Sequence, residues 1–347
     1  MKFSVKPIVY ALYLTITTLG SIEIVLRLTG TFDTYTERIG QGYASYYGAT
    51  YDSWYRLNAP LDTFIVDHKE FRYEHITNSL GIREAEIKGG DTTDIRLVTF
   101  GDSFTEGIGA PYDSTWPRQI ERLLIKDGFD AHVINAGVNG SDPFYSFRLL
   151  KDKIICYGPT HVVFSCNRSD IEDHMFRSGF DRFMTDGTTV SREAPKVESL
   201  YKKSHLARMY FEKIRRYDKT LIRKDDLQQR KLEAIQEINA CFDSTLALCS
   251  RNNIKFLVMA HASPLLYCHN KPLKLDVRLF NSMHNDYPYI YIEDQLRKII
   301  NKENCLEYGW ESDGHFTGKG YTELGQILFE EIQSQYPRFF ENECQPN

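Results

Sequence analysis

From residue 95 onward the chain alternates short apolar runs with longer stretches in which apolar residues recur every three or four positions. Ile95–Phe100 (IRLVTF) ends at Gly101 and predicts a strand buried on both faces. Trp116 and Pro117 follow the capping candidates Asp113, Ser114 and Thr115, and Ile120, Leu123 and Leu124 then mark one face of a helix. A second strand is predicted over His132–Asn135, a helix over 142–156 and a third strand over His161–Cys166. Leu232, Ile235, Ile238, Phe242, Leu246 and Cys249 form a helical stripe that leads into a fourth strand, Ile254–Ala260. Tyr289–Ile292 gives a fifth, and Tyr321, Leu324, Ile327 and Leu328 a closing helix. Strands alternating with helices imply an α/β fold whose parallel sheet of about five strands is covered on both faces. Ligands of such sheets bind beyond the carboxyl ends of the strands.

Three regions depart from this alternation. At the N-terminus, Lys2 and Lys6 precede an uncharged run from Pro7 to Ile22, which Glu23 interrupts before Ile24, Val25 and Leu26 resume it. The run approaches the roughly 17–25 residues that cross a bilayer. Leading positive charge favours a cytoplasmic N-terminus. No convincing small-x-small cleavage site follows, so of the readings of residues 1–29 (membrane anchor, signal-like helix, buried amphipathic helix) a retained anchor is the favoured one, with the rest of the chain outside the cytoplasm. Residues 30–92, rich in Tyr, Gly and Asp, lack sustained periodicity and are expected to be an irregular extension ahead of the main domain at 93–347. Within that extension, Asn78, Gly81 and Arg83 occupy a turn-like stretch. From about 168 to 228 a helical insertion breaks the rhythm, and between Lys202 and Lys231 it holds eleven Lys or Arg against four acids. A basic cap for an anionic polymer or membrane surface is one reading, and a solvated helical insertion is the favoured one.

The net charge of −5 offers no electrostatic case for nucleic acid. The 22 Tyr and 21 Phe are a composition frequent among extracytoplasmic and carbohydrate-handling proteins. Seven cysteines without a C-x-x-C pair exclude the usual zinc and thioredoxin-type patterns and leave any disulfide pairing open. Cys156 and Cys166, beside and within the third strand, are expected to be small core residues.

Candidate chemistry collects at the predicted strand ends. Ser103 follows the first strand in Gly101-Asp102-Ser103-Phe104, where Gly101 permits a tight turn and helix-side N–H groups can stabilise an oxyanion. A serine hydroxyl needs a base to take its proton. His315, in Trp310-Glu311-Ser312-Asp313-Gly314-His315, is the candidate, oriented by Asp313 with Glu311 as fallback. His261, just past a strand end, is its rival. His161 reads as structural, and His174, in Asp-Ile-Glu-Asp-His, as part of a solvated turn in preference to a metal ligand. Gly137 after the second strand and Asn167 after the third can supply oxyanion donors. No Gly-x-Ser-x-Gly elbow lies at a plausible strand end, and no glycine-rich phosphate loop is present.

Gly101-Asp102-Ser103-Phe104-Thr105-Glu106-Gly107 resembles the first block of the SGNH (GDSL-type) hydrolases, Gly137 the second, Asn167 the third and Asp313-Gly314-His315 the fifth. The resemblance spans roughly residues 78–335. It implies a flavodoxin-like three-layer α/β/α fold, with Ser103, Gly137 and Asn167 forming an oxyanion hole. The anchor and the Asn-x-x-Gly-x-Arg stretch resemble the bacterial envelope-associated branch. Two blocks differ: the third reads Ser165-Cys166-Asn167-Arg168-Ser169-Asp170 where the family has Gly-x-Asn-Asp, and the fifth is one residue short of Asp-x-x-His. The resemblance implies a cofactor-free and metal-free serine esterase acting on an acyl ester, O-acetyl groups of a glycan included. The alternatives are an O-acyltransferase using the same residues, or a catalytically silent binding protein on the same fold.

Overall fold

The computed structural model describes residues 5–31, 50–51, 57–87, 93–217, 221–268 and 286–341. The chain falls into two units, one of Ser53–His174 and Ala234–Asn347, the other of Met1–Asp52 and Met175–Glu233.

The first unit is built on a five-stranded, wholly parallel sheet. Its strands are β1 (Ile95–Phe100), β2 (Ala131–Asn135), β3 (His161–Cys166), β4 (Lys255–Ala260) and β5 (Tyr289–Tyr291), in the order β2-β1-β3-β4-β5. This is the flavodoxin-like doubly wound order. Each strand lies within two residues of its predicted bounds. Successive side chains alternate between faces. Leu97, Val163, Leu257 and Met259 pack on one face against the core of helices Trp116–Lys126 and Gly318–Gln335, including Trp116, Ile120, Tyr321 and Leu324. On the other face the aromatic rings of Phe100, Phe164, Phe256 and Phe242 pack in tilted and edge-to-face contacts at 5.1–6.3 Å between centroids, Phe242 coming from the helix Lys224–Arg251. Both faces are covered, so the strands need apolar residues at nearly every position, and that made them legible.

Residues 30–92 contain a hairpin that the sequence pattern hides. Thr63–Asp67 pairs antiparallel with Arg72–Ile76, in a register that sets Thr63 opposite Ile76 and Asp67 opposite Arg72. Tyr73 and His75 are the inward residues of the second strand. Their polar tips mask the period-2 signal that aliphatic residues would give.

Two histidine and cysteine readings need correction. His174 does not sit in a solvated turn: it is 2% exposed within the helix Arg168–Arg177, with Nε2 2.7 Å from the Glu237 carboxylate. The acids around it in sequence suggested solvation, but helical spacing turns its ring inward onto Phe144. Cys156 is exposed, because the helix ends in a tight turn there, whereas Cys166 is buried as expected. His161 is structural: buried in β3, it donates from Nε2 to the Phe339 carbonyl at 2.6 Å. Cys268 and Cys305 form a disulfide.

In the second unit, Lys6–Leu28 is one helix with no buried residue, long and apolar enough to cross a membrane. Its partner segment carries helices Glu198–Lys203 and His205–Met209 and a π-helical turn, Tyr210–Ile214, folded around Tyr201, Ala207, Phe211 and Leu221. A short ladder joins Thr50–Tyr51 to Thr189–Val190.

Candidate active site

β1, β2, β3 and β4 are followed directly by Gly101, Ala136, Asn167 and His261, so the chemically interesting residues share the carboxyl end of the sheet. At the first of these ends the chain turns sharply into a four-residue helix, Ser103–Glu106. Gly101 adopts φ 154°, and a Cβ there would lie 2.3 Å from Thr105 Oγ1, so a side chain is excluded by both conformation and space. Asp102 caps the helix by accepting from the Phe104 N–H at 2.9 Å. Ser103 is therefore the first helical residue, and its own N–H has no hydrogen-bond partner among the described residues.

The other oxygen of Asp102 holds the third strand end. It accepts from Asn167 Nδ2 at 2.9 Å and from Ser169 Oγ at 3.1 Å. Asn167 Oδ1 accepts from the Ser169 N–H at 2.8 Å, and Asp170 accepts from the Asn167 N–H at 2.7 Å. This reciprocal pattern is a capping box at the start of helix Arg168–Arg177, and it fixes the Asn167 side chain from both sides. The departure of this block from Gly-x-Asn-Asp thus keeps the amide oriented by local hydrogen bonds. Burial and the neighbouring Asp102 charge push the Asp170 carboxyl well above the usual range.

Gly137 approaches the helix Ser103–Glu106 so closely that a Cβ would fall 2.2 Å from the Glu106 nitrogen. Its own N–H donates to Asn135 Oδ1 at 3.0 Å. The glycine is therefore needed for packing, and its donor is already engaged within its own turn.

His315 reaches the serine from the far end of the chain. Its Nε2 lies 2.7 Å from Ser103 Oγ, and its Nδ1 lies 2.5 Å from Asp313 Oδ1. In the tautomer this pairing favours, Nδ1–H donates to Asp313 and Nε2 accepts from the serine hydroxyl. Half-burial pushes the Asp313 carboxyl up, but hydrogen bonds from the His315 ring and backbone N–H outweigh it and hold the carboxyl below its ordinary value. Glu311, by contrast, is exposed. His261 does not compete for the serine: it is fully buried behind Phe104, 4.9 Å ring to ring, and burial lowers its pKa. Phe104 also packs on His315 at 4.7 Å.

Several residues outside the candidate catalytic set support the site. Arg83 donates to the carbonyls of Glu106 at 3.1 Å, Gly107 at 2.9 Å and Ala110 at 2.8 Å, clamping the loop that follows Ser103. Glu106 itself is buried and paired with His75 Nε2 at 2.7 Å. Glu84, fully buried, accepts from the Asn135 N–H at 2.8 Å and from the Tyr112 hydroxyl. On the other side of the site Glu70, at the hairpin turn, accepts from the Ser312 and Asp313 N–H groups at 3.1 Å and from the Ser312 hydroxyl. Trp310 bridges the two sides by donating from Nε1 to the Gly109 carbonyl at 2.9 Å. The turn-like stretch at Asn78–Arg83 was the visible trace of this apparatus.

No protein-family model and no curated protein matches the chain. Solved structures do resemble it. The acetyl xylan esterase AlAXEase aligns at 13% identity and TM-score 0.44, over 69% of this chain and 100% of that one. An acetylxylan esterase from Geobacillus stearothermophilus aligns at 12% identity and TM-score 0.42, over 72% and 96%. A G-D-S-L family lipolytic protein from Desulfitobacterium hafniense aligns at 12% identity and TM-score 0.37, over 68% and 98%. At such TM-scores these likenesses carry no weight in assigning a mechanism, which stands on the residues themselves.

Proposed function

We propose that this chain is a serine esterase of the SGNH type, acting on an acyl ester such as the O-acetyl group of an envelope glycan. The observation that carries the proposal is the unbroken chain from Ser103 Oγ through both ring nitrogens of His315 to Asp313. As an acyl ester binds, Ser103 Oγ attacks the carbonyl carbon while His315 Nε2 takes the hydroxyl proton. Asp313, ionised at neutral pH, stabilises the imidazolium that results. The proton then passes from His315 to the departing alkoxide, leaving an acyl-serine and a free alcohol. Water, deprotonated by His315, releases the acid and restores the serine.

The oxyanion of each tetrahedral intermediate needs pre-positioned donors. The Ser103 N–H and the second N–H of the Asn167 amide, the first being spent on Asp102, are the donors we assign. Gly137 is the third, its N–H shared between Asn135 and the acyl oxygen once substrate arrives. The apolar helix Lys6–Leu28 is assigned as a membrane anchor, with the catalytic unit outside the cytoplasm, a placement in keeping with the Cys268–Cys305 disulfide.

A fluorophosphonate probe tests the nucleophile on the full-length protein in detergent. Labelling of the wild type, lost in both Ser103→Ala and His315→Ala, is expected. Folded wild-type protein that stays unlabelled would sink the proposal and favour a silent scaffold. Product analysis with an acyl donor and a glycan acceptor separates hydrolysis from transfer, since a sugar hydroxyl can replace water in the second step.

A further inference from the structure

The basic insertion and the interruption of the apolar helix by Glu23 are both left unexplained by the esterase chemistry. The structure connects them. The Glu23 carboxylate accepts from Ser204 Oγ at 2.8 Å, the His205 N–H at 3.0 Å and the Leu206 N–H at 2.8 Å. It thereby occupies the N-terminus of the helix His205–Met209, where a negative charge is favoured. Arg27, paired with Glu23 at 2.7 Å, also donates to the Lys203 carbonyl at 2.5 Å. The insertion is thus fastened to the last turns of the apolar helix.

What this collar presents to solvent is unusual for a soluble surface. Each of its helical pieces turns one side inward: Tyr201 from one, Ala207 and Phe211 from the others, closed by Leu221. The outward sides carry Leu200 at 55% exposure, Tyr210 at 43% and Ile214 at 61%. Around these, every exposed charged side chain from 196 to 217 is a cation. Lys202 and Lys203 flank Leu200, and Lys213, Arg215 and Arg216 flank Ile214. The acids of the same stretch are turned in, Glu198 buried and Glu212 half-buried against the Tyr201 hydroxyl. Exposed apolar side chains interleaved with cations are the signature of a segment lying in a headgroup layer, where apolar tips enter the acyl boundary and cations meet lipid phosphates.

We propose that the 196–217 collar is a second membrane contact, seated on an anionic lipid surface beside the point where the apolar helix emerges. The inference rests on the anchor reading of that helix. Geometry favours lipid over a soluble anionic polymer. The uncharged stretch Pro7–Ile22 is about 24 Å long as a helix, short of a hydrocarbon core of about 30 Å. Such a mismatch draws the flanking residues towards the bilayer. Because Glu23 and Arg27 hold residues 203–206 at the end of that stretch, the collar is drawn down with it.

The test uses the full-length protein reconstituted in phosphatidylcholine vesicles with or without phosphatidylglycerol. Leu200→Trp and Ile214→Trp variants are read by brominated-lipid quenching over the wild-type tryptophan background. Both new tryptophans should be quenched, more strongly in the anionic vesicles. Adding Lys213→Gln, Arg215→Gln and Arg216→Gln to the Ile214→Trp protein should abolish that quenching while the protein stays vesicle-bound. Each cation is worth about fivefold in the local docking equilibrium, so three are worth on the order of a hundredfold. Protein that floats with the vesicles while both tryptophans remain unquenched would overturn the collar contact and leave the anchor standing. Failure to float at all would overturn the anchor itself. Quenching indifferent to lipid charge, or an emission shift given only by a soluble anionic polysaccharide, would also overturn the proposal.

Discussion

The two walls of the candidate active site are held in opposite ways. The Ser103 wall is buried and tied from within: Asp102 caps the nucleophile helix and grips Asn167, Arg83 clamps three carbonyls behind it, and Glu106 pairs with His75. The His315 wall is a half-exposed loop, and its acid end is secured from outside by Glu70, some 240 residues away in sequence. A nucleophile and its oxyanion donors must be pre-organised to a fraction of an ångström. A base that carries a proton in both directions needs a correct tautomer and bearing more than immobility. The segment ahead of the sheet thus contributes to both walls, His75 and Arg83 from buried positions to one and Glu70 from a partly exposed turn to the other.

The comparison can be attacked first at its chemical link. Asp313→Asn keeps the shape of the His315 wall but offers the wrong hydrogen-bonding partner to Nδ1, and kcat should fall about ten-thousandfold. A variant within tenfold of wild type would mean that another group orients the ring. Next in size is Arg83→Ala, which removes the guanidinium donor from three buried carbonyls, of which, among the described residues, Gly107 alone keeps a second donor in the Ala110 N–H. Its expected cost is about 4 kcal/mol, seen as a melting temperature lower by on the order of 10 °C. Arg83→Lys should recover little of this, because a single ammonium does not reproduce the guanidinium fork. Unchanged melting in Arg83→Ala would mean that the Ser103 wall is not held from behind.

Asp102→Ala addresses the same wall more locally. It removes the cap of the nucleophile helix and one restraint on Asn167 together, and kcat should drop about a hundredfold with a smaller change in KM. An equal loss in both Asp102→Ala and an Asp102→Ala/Asn167→Ala double variant would show that Asp102 acts through Asn167. Additive losses would assign the two residues separate roles.

How much of this was legible follows the range of the interactions. The five strands could be read because a doubly covered parallel sheet writes itself as apolar runs, and Ser103, Asn167 and His315 stood out by falling at strand ends or in a recognisable block. The hairpin at 63–76 was hidden because its buried residues, Tyr73 and His75, do not look apolar. His174 was misjudged since its acidic neighbours say nothing of which helix face it occupies. Arg83 stood in a turn-like stretch that drew notice without its partners, whereas Glu84 and Glu70 act on groups far along the chain that no local pattern announces.

Glu70 is where the contrast between the walls can be sharpened most finely. Hydrogen bonds from the Ser312 hydroxyl, and from the Ser312 and Asp313 N–H groups, hold its carboxyl below the ordinary value. A depressed carboxyl contributes to the native arrangement above the unfolded carboxyl pKa and loses that contribution as pH falls through its lower folded value. The Glu70 clamp should therefore persist through the mildly acidic range and release only as pH falls below the ordinary carboxylate range. Glu70→Gln replaces one acceptor oxygen with a donor that faces two N–H groups, loosening Asp313 without removing it. We expect about a tenfold loss in kcat, with melting close to wild type because the residue is partly exposed. Glu70→Asp, which keeps the charge on a shorter arm, should recover part of the rate. If Glu70→Gln instead melts early and its loss of rate tracks the loss of folded protein, the His315 wall is held for stability, as the Ser103 wall is. A loss in kcat with the fold intact would make Glu70 a positioning residue for the acid of the catalytic chain.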